Sequence, residues 1–249
     1  MRDLAALNPF DAQGARDAAF AAALNARYAA ASPQQVLEAA IRDLFPGRLA
    51  LVSSFGTEAA VLLALAADVD KSLPILFVDT RKLFGETLRY RDDLIDFLGL
   101  TDVRTVEPDR ELLARRDPED MLWHGDADAC CHIRKTLPLA GALGGFDAWI
   151  TGRKRFQSST RAAIPLFEEQ DGWIKVNPLA TWSKADLENE FEKRGLPRHP
   201  LEADGFLSVG CYTCTERVAP GADPRSGRWA GKAKTECGIH IASLDGSSL

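Results

Sequence analysis

The sequence predicts an α/β domain organised around a doubly wound, mostly parallel β-sheet. Runs typical of β-strands occur at residues 49–55, 74–80, 103–106, 147–152 and 174–179. Segments with helical character lie between most of these runs, and strands that alternate with helices are typical of parallel sheets. The chain of 249 residues, 46% hydrophobic and 27% charged, has the size and composition to bury the core of such a domain.

Helix signals mark the segments between the strands. Two helices, at residues 14–30 and 33–45, precede the first strand, and Ser32 followed by Pro33 is a start signal for the second. The other helices are predicted at residues 57–68, 84–98, 129–143 and 183–194. Gly99 ends one of them, and Ser183 caps the last.

The chain changes character beyond about residue 197. It becomes rich in glycine, proline and charged residues, so we expect a loop-rich segment that packs on or over the sheet. We interpret residues 1–249 as a single domain. Its parts are N-terminal helices to about residue 45, an α/β core over residues 46–197, and a C-terminal segment over residues 198–249.

Charge and hydropathy exclude several classes of protein. The net charge of −6 argues against a broad nucleic-acid surface, which needs an excess of basic residues. No apolar stretch approaches the roughly 18 residues of a membrane span. The N-terminus carries Asp3, Asp11 and Asp17, which suits neither a secretory signal nor a transit peptide. We expect a cytoplasmic protein with reduced thiols and neither a nucleic-acid nor a membrane partner; whether it is a homo-oligomer stays open.

Three segments follow predicted strands, where ligands of open α/β sheets bind. The turn with Ser53, Ser54 and Gly56 offers backbone N–H groups to an anion or a ribose phosphate, although a plain strand-to-helix turn has the same pattern. It lacks the G-K-[ST] ending of a Walker A loop. The other two segments contain Asp79 and Thr80, and Gly152. Asp79 either accepts hydrogen bonds from a nucleoside or caps the next turn.

The cysteines form a distinctive set. There are five in the chain, two adjacent, two in a C-x-x-C pair and one alone, namely Cys130, Cys131, Cys211, Cys214 and Cys237. Four thiolates suit a zinc ion or a four-iron cluster. Adjacent side chains point in different directions, which favours the wider cluster over zinc. A redox dithiol at 211–214 is the weaker alternative, because the expected βαβ setting is absent.

These motifs together resemble the assimilatory adenosine 5′-phosphosulfate (APS) reductase family. The segments that carry the resemblance are ACCHIRKTLPL from residue 129, GCYTCTERV at 210–218, KTECGIH at 234–240, SSFGTE at 53–58, FVDTRKLFGET at 77–87 and QSSTR at 157–161. The sequence departs from the family pattern at Arg81, where a glycine is usual, at Phe156, usually polar, and at the variable His132. These departures concern the nucleotide pocket.

The resemblance implies a fold, a cofactor and a reaction. The fold would be the adenine-nucleotide alpha-hydrolase-like relative of the Rossmann fold. A 4Fe–4S cluster would be held by the four paired cysteines, and Cys237 would be the nucleophile, with a functional role for His240. Thioredoxin or glutaredoxin would be the reductant. The presence of the four cluster cysteines favours APS over its 3′-phosphorylated form, PAPS.

Basic residues stand out in this acidic chain. They lie at 134–135, at 153–161 and at 225–234, where guanidinium groups would suit phosphate and sulfate oxygens, although basic residues on loops are usually solvated. By resemblance, four of them contact the substrate or bridge it to the cluster: Lys135, Arg161, Arg225 and Arg228. No catalytic role is expected for His124 or His199.

The expected reaction has two steps. The Cys237 thiolate attacks the sulfur of APS and AMP leaves, which gives an S-sulfocysteine that a thioredoxin thiolate resolves with release of sulfite. Lys232, Lys234 and His240 are expected to lower the pKa of Cys237, and Glu236 to oppose them. The alternatives are a PAPS or dual APS/PAPS reductase and, more distantly, an iron–sulfur ATP-dependent tRNA thiolase or a metal-stabilised nucleotide-binding module without catalysis.

Overall fold

A six-stranded sheet forms the centre of the computed structural model, which describes residues 16–219, 221–232, 234 and 236–240. The strands are β1 Leu49–Ser53, β2 Ile75–Val78, β3 Val103–Val106, β4 Ala148–Ile150, β5 Phe167–Gln170 and β6 Trp173–Val176. Their order is β3-β2-β1-β4-β6-β5, and all neighbours run parallel except the β5–β6 pair. This confirms the predicted α/β class with a mostly parallel sheet.

Helices cover both faces of this sheet. They are α1 Ala18–Arg27, α2 Pro33–Glu38, α3 Ala59–Val69, α4 Gly85–Leu98, α5 Arg110–Arg116, α6 Leu122–Gly125, α7 Ala127–Cys131, α8 Leu137–Leu143, α9 Lys184–Arg194 and α10 Pro200–Ala203. A π-helical turn, His132–Thr136, joins α7 to α8, and another, Ala39–Leu44, extends α2. Residues 14–15 of the first predicted helix and residues 241–249 of the C-terminal segment lie outside the described residues.

Capping residues account for several helix ends. The Ser32 hydroxyl accepts from Gln35 N and the Gln35 side chain accepts from Ser32 N, a reciprocal pair that starts α2. Ser183 starts α9 in the same way. Gly99 ends α4 with φ of 65°, a left-handed conformation that glycine adopts without steric cost.

Alternation along the strands builds a core on each side of the sheet. Leu51, Ile75 and Ile150 point to one face, where they pack within the cluster that contains the buried side of α3. Ala50, Leu76 and Trp149 point to the other face and pack against Leu139 and Leu143 of α8. Each fully buried leucine or isoleucine contributes roughly 1.5–3 kcal/mol, so burial on both faces holds the helices to the sheet.

Strand β5 and the helices α5, α6 and α10 were not predicted from the sequence. Strand β5 reads FEEQ, which lacks the apolar run of a central strand, and it pairs antiparallel at the sheet edge through a turn at Asp171 and Gly172. Both turn residues have positive φ, 54° and 83°, as in the tight turns of β-hairpins. Helix α5 was also missed, although Asp109 caps it by accepting from Leu112 N.

The C-terminal segment crosses the carboxyl ends of the strands. Tyr212 N donates to Lys82 O, and the Thr57 hydroxyl donates to Leu207 O, so the segment is fixed to the turns after β2 and β1. A side chain at Gly227 would collide with the Glu216 carbonyl, which explains a glycine there. No helix in the described part of the chain is long and apolar enough to cross a membrane. The predicted three-part division of the chain stays a prediction.

Candidate active site

A cavity of about 280 Å³ lies at the carboxyl ends of β1, β2 and β4, under the C-terminal segment. It brings together most of the residues predicted from sequence. The predicted residues in its lining are Ser53, Ser54, Gly56, Thr80, Lys135, Gly152, Arg161, Cys211, Arg225, Arg228, Cys237 and His240. Cys130, Cys131, Cys214 and Asp79 are not part of this lining. The position of the cavity is the one at which open α/β sheets bind ligands.

Asp79 lies outside the cavity lining and forms a hydrogen bond within its own turn. Its carboxylate accepts from Arg81 N at 2.8 Å, which is a turn-capping contact, and the alternative role of accepting from a nucleoside stays a prediction. Arg81 has φ of 59°, the left-handed region in which glycine is preferred, and its guanidinium pairs with Glu107 at 2.9 Å. The turn shape is therefore kept although arginine replaces glycine.

The turn after β1 carries a carboxylate into the cavity. Glu58, at the start of α3, accepts from the Lys154 ammonium at 2.5 Å and from the Gln157 amide at 2.6 Å. Lys154 is buried, and burial lowers its pKa from the ordinary value while Glu58 opposes the shift. These contacts tie the turn after β1 to the segment after β4. Neither Glu58 nor Gln157 was among the site residues predicted from the sequence.

Glu236 is bound by a ring of donors on the cavity wall. Arg161 donates to both carboxylate oxygens at 2.6 Å, and Arg225 lies 3.4 Å from one of them. The hydroxyls of Ser158 and Thr160 donate at 3.2 and 3.1 Å. Burial raises the pKa of Glu236, but the Arg161 hydrogen bonds outweigh it and hold the pKa below its ordinary value. Glu236 is 3% exposed, and both of its carboxylate oxygens accept hydrogen bonds.

Cys237 lies beside a different set of groups from those predicted. A hydrogen bond with the Cys131 thiol lowers its pKa, burial opposes this, and Lys135 and Arg228 lower it further. Lys232 donates instead to Trp123 O at 2.5 Å, and Lys234 contacts Asp128. Lys135 and Arg228 are thus cations whose charges lower the pKa of Cys237, and the charge of Cys237 in turn opposes the fall in the pKa of Arg225 that burial causes.

His240 is held as a neutral ring. It stacks on Trp149 with ring centres 6.0 Å apart and planes at 8°. Burial and the charges of Lys175 and Arg153 lower its pKa well below the ordinary value. No described residue hydrogen-bonds its buried Nδ1 atom. His240 therefore packs the segment onto the sheet and does not add a positive charge near Cys237.

A buried ion-pair network supports the cysteines. Arg134, predicted only as one of the basic residues, is 3% exposed and donates to Asp117 at 2.7 Å, to Asp120 at 2.6 Å and to Thr80 O at 3.1 Å. The Thr80 hydroxyl in turn contacts the Cys211 sulfur at 3.2 Å. The network thus joins α7 with Cys130 and Cys131, and the π-helical turn with Lys135, to the end of β2 and to the C-terminal segment.

A family model described as the phosphoadenosine phosphosulfate reductase domain matches residues 48–217, a span that includes the cavity turns and the four paired cysteines. The chain belongs to this reductase family. Two relatives, from Mesorhizobium japonicum and Chelativorans sp., are each 49% identical to it and each named adenosine 5′-phosphosulfate reductase. The alignments cover 97% and 89% of this chain, and 96% and 91% of those proteins.

Solved structures agree on the fold of this reductase. The crystal structure of phosphoadenylyl-sulfate (PAPS) reductase from Candida auris, a phosphate complex, has a TM-score of 0.68 and 26% identity, over 80% of this chain and 98% of that one. Candida glabrata FMN adenylyltransferase has a TM-score of 0.52 at 15% identity, which is a likeness of fold alone. The predicted family and the Rossmann-like fold class are confirmed.

The paired cysteines of the reductase form an all-thiol donor set. Cys130 and Cys131 end α7, and Cys211 and Cys214 bound a short 3₁₀ turn. All four are free thiols, three buried and Cys214 half-buried. Within the described ranges, no three His, Cys, Asp or Glu side chains are arranged to hold a single metal ion. Four thiolates are the ligands of a [4Fe–4S] cluster, so the chemistry of the donor set fits that group.

Proposed function

We propose that this protein reduces APS to sulfite and AMP in sulfate assimilation, with Cys237 as the nucleophile. The observation that carries the proposal is the position of Cys237 in the cavity wall, beside Lys135 and Arg228. A thiolate is the reactive form of cysteine, and nearby cations stabilise it. The names of the relatives, which specify APS, support the choice of substrate.

The first step transfers a sulfonate group. The Cys237 thiolate attacks the sulfur of APS, an S–S bond forms, and the bond from that sulfur to the phosphate oxygen of AMP breaks. AMP takes the electron pair of the broken bond. The positive charges of Lys135 and Arg228 stabilise the negative charge that develops on the phosphate oxygen in the transition state.

The second step restores the enzyme with two electrons from a dithiol partner, thioredoxin or glutaredoxin. One thiolate of the partner attacks the Cys237 sulfur, and sulfite leaves with the electron pair of the S–S bond. The second thiol of the partner then attacks the mixed disulfide, which releases Cys237 and leaves the partner oxidised. We place this chemistry in the cytoplasm, where dithiol partners stay reduced.

The proposal includes a 4Fe–4S cluster on Cys130, Cys131, Cys211 and Cys214. When bound, it would join the two cysteine pairs and set the local electrostatic field. The charges that raise the pKa of Lys135 against the effect of burial are those of Cys211, Cys131 and Cys237. Lys135 is therefore the side chain that would link the cluster ligands to the nucleophile, in agreement with the role that the family resemblance implied.

Sulfite release tests this function and its nearest alternative. Anaerobically purified protein is incubated with APS or PAPS, thioredoxin and a reductant that keeps thioredoxin reduced. Release with APS that is lost in Cys237→Ser supports the proposal. Release with PAPS alone would move the assignment to the sister activity. No release from either substrate, by protein that holds its iron, would leave a metal-stabilised nucleotide-binding protein.

A further inference from the structure

One carboxylate lies among the cations of the cavity. The lining contains six lysines and arginines, and within the described residues Glu58 is its one acidic side chain. The Glu58 side chain is 31% exposed, whereas that of Lys154, its ion-pair partner, is 2% exposed. The group that an incoming ligand meets at this point is therefore the carboxylate, with the ammonium buried behind it.

The two oxygens of the Glu58 carboxylate differ in their contacts. Oε2 accepts from the Lys154 ammonium at 2.5 Å and from the Gln157 amide at 2.6 Å. Oε1 accepts no hydrogen bond within the part of the chain that the structure describes, although each carboxylate oxygen has lone pairs for two. One oxygen thus holds the side chain in place, and the other is available as an acceptor for a ligand.

A series of hydrogen-bonded side chains leads from Glu58 to the nucleophile. Gln157 donates to Glu58 and accepts from Arg161. Arg161 in turn donates to Glu236, the residue before Cys237. In APS the phosphate lies between the sulfate and the ribose. When the sulfur of APS lies at Cys237, the ribose therefore lies further along this wall, towards Glu58.

The surface beside Glu58 also suits a nucleoside. The Phe156 ring, next to Gln157 in the chain, is 42% exposed and lines the cavity. Every base has a flat π face that can stack on such a ring. A free carboxylate oxygen and an exposed aromatic ring are groups that bind the hydroxyls and the base of a nucleoside.

We propose that Glu58 selects APS over PAPS, because it accepts a hydrogen bond from the ribose 3′-hydroxyl and repels a phosphate at that position. The two nucleotides differ only there, and the six cations of the lining would otherwise favour the additional phosphate. Rossmann-type sites distinguish their cofactors in the same way, with a carboxylate for a ribose hydroxyl and an arginine for a phosphate in its place. The inference rests on the proposed function and adds the residue that chooses the substrate.

Replacing Glu58 with glutamine is expected to change this choice in two ways. It removes the charge that strengthens the hydrogen bond to a ribose hydroxyl. It also takes away the carboxylate that pairs with the Lys154 ammonium, so a 3′-phosphate can take its place there. Affinity for a nucleotide with a 3′-hydroxyl should therefore fall, and affinity for one with a 3′-phosphate should rise.

Binding of AMP and of adenosine 3′,5′-bisphosphate isolates the 3′ group, because neither carries the reacting sulfate. Calorimetry of the wild type is expected to show AMP bound at least about tenfold more tightly, and Glu58→Gln is expected to reduce this preference by about ten- to a hundredfold. Glu58→Asp keeps the charge and is expected to keep the preference for AMP. The matched control, Glu192→Gln, removes an exposed carboxylate from α9 and is expected to change neither constant. A Glu58→Gln variant that binds both nucleotides with the wild-type ratio would overturn the proposal, because Glu58 would then only hold Lys154 in place.

A second measurement uses the wild type alone, so it does not depend on how well a variant folds. The ligands are AMP, 2′-deoxy-AMP and 3′-deoxy-AMP. Loss of the 3′-hydroxyl is expected to weaken binding by about tenfold or more, and loss of the 2′-hydroxyl by less than about threefold. Equal affinities for AMP and 3′-deoxy-AMP would show that no carboxylate accepts from the 3′-hydroxyl.

Adduct formation separates this inference from the proposed function. If the wild type forms the S-sulfocysteine with APS but binds AMP no more tightly than the bisphosphate, selection by Glu58 is wrong while APS reduction stands. If the wild type holds its iron and forms no adduct with APS, the proposed function itself fails, whichever nucleotide binds more tightly.

Discussion

Replacing Arg134 with glutamine removes the cation at the centre of a buried network. The guanidinium is 4% exposed and its partner Asp117 is 2% exposed, so the variant leaves a buried carboxylate without its charge partner. Breaking a buried pair in this way costs about 3–5 kcal/mol. In a chain of this size each kcal/mol lowers the melting temperature by about 2–4 °C, so we expect a fall of roughly 6–20 °C.

The assay is anaerobic thermal unfolding followed by circular dichroism. Arg116→Gln is the matched control, because this arginine is exposed at the end of α5, and a change within about 0.5 kcal/mol is expected. Asp117→Asn is expected to destabilise more than Asp120→Asn, because the Asp120 side chain is 61% exposed. A melting temperature for Arg134→Gln within about 2 °C of the control would show that this network does not hold the site together.

Three further predictions concern the nucleophile, the turn after β2 and a buried histidine. Cys237→Ser is expected to abolish sulfite release while the protein keeps its iron and its colour. Loss of the iron and the colour in this variant would contradict the assignment of four cysteines as cluster ligands and of Cys237 as the nucleophile. Arg81→Gly is expected to be more stable than Arg81→Ala by about 1 kcal/mol in thermal unfolding, because both lose the Glu107 pair but only glycine relieves the φ of 59°; equal stability would argue against strain at this turn. Burial lowers the pKa of His199 to about 4, so the unfolded chain binds a proton that the folded chain does not as pH falls from about 6.5 to 4, and stability falls in that window. His199→Gln is expected to flatten that part of the pH–stability curve, and the matched His124→Gln to leave it as in the wild type; identical curves for wild type and His199→Gln would exclude this residue as the cause.

Local patterns were enough for much of the fold. Gly99 and Ser183 lie at helix ends as predicted, because caps are decided by the residue and its immediate neighbours. The apolar strands near 49–53 and 75–78 were found because both of their faces are buried. Strand β5 was missed because an edge strand needs only one buried face, although the Asp171–Gly172 turn signal was present in the sequence.

The cavity could be predicted only in part. Cysteines and strand-end motifs can be recognised by residue type and spacing. The sequence therefore predicted that Cys237, Lys135 and the turn at Ser53 belong to one site. The partners of Glu236 lie 11 to 78 residues away along the chain, and no local pattern reports such contacts. The same holds for Arg134, whose burial depends on Asp117 and on the end of β2. Charge pairing in a folded interior is a tertiary property.

In the proposed reaction Cys237 itself receives the sulfonate from APS. The most direct measurement is the intact mass of anaerobically purified protein after incubation with APS and no reductant, followed by peptide mapping and then by addition of reduced thioredoxin. We expect a single sulfonate adduct on the peptide with Cys237, which thioredoxin removes with release of an equal amount of sulfite. An adduct on any other cysteine, or none in protein that holds its iron and binds APS, would contradict it.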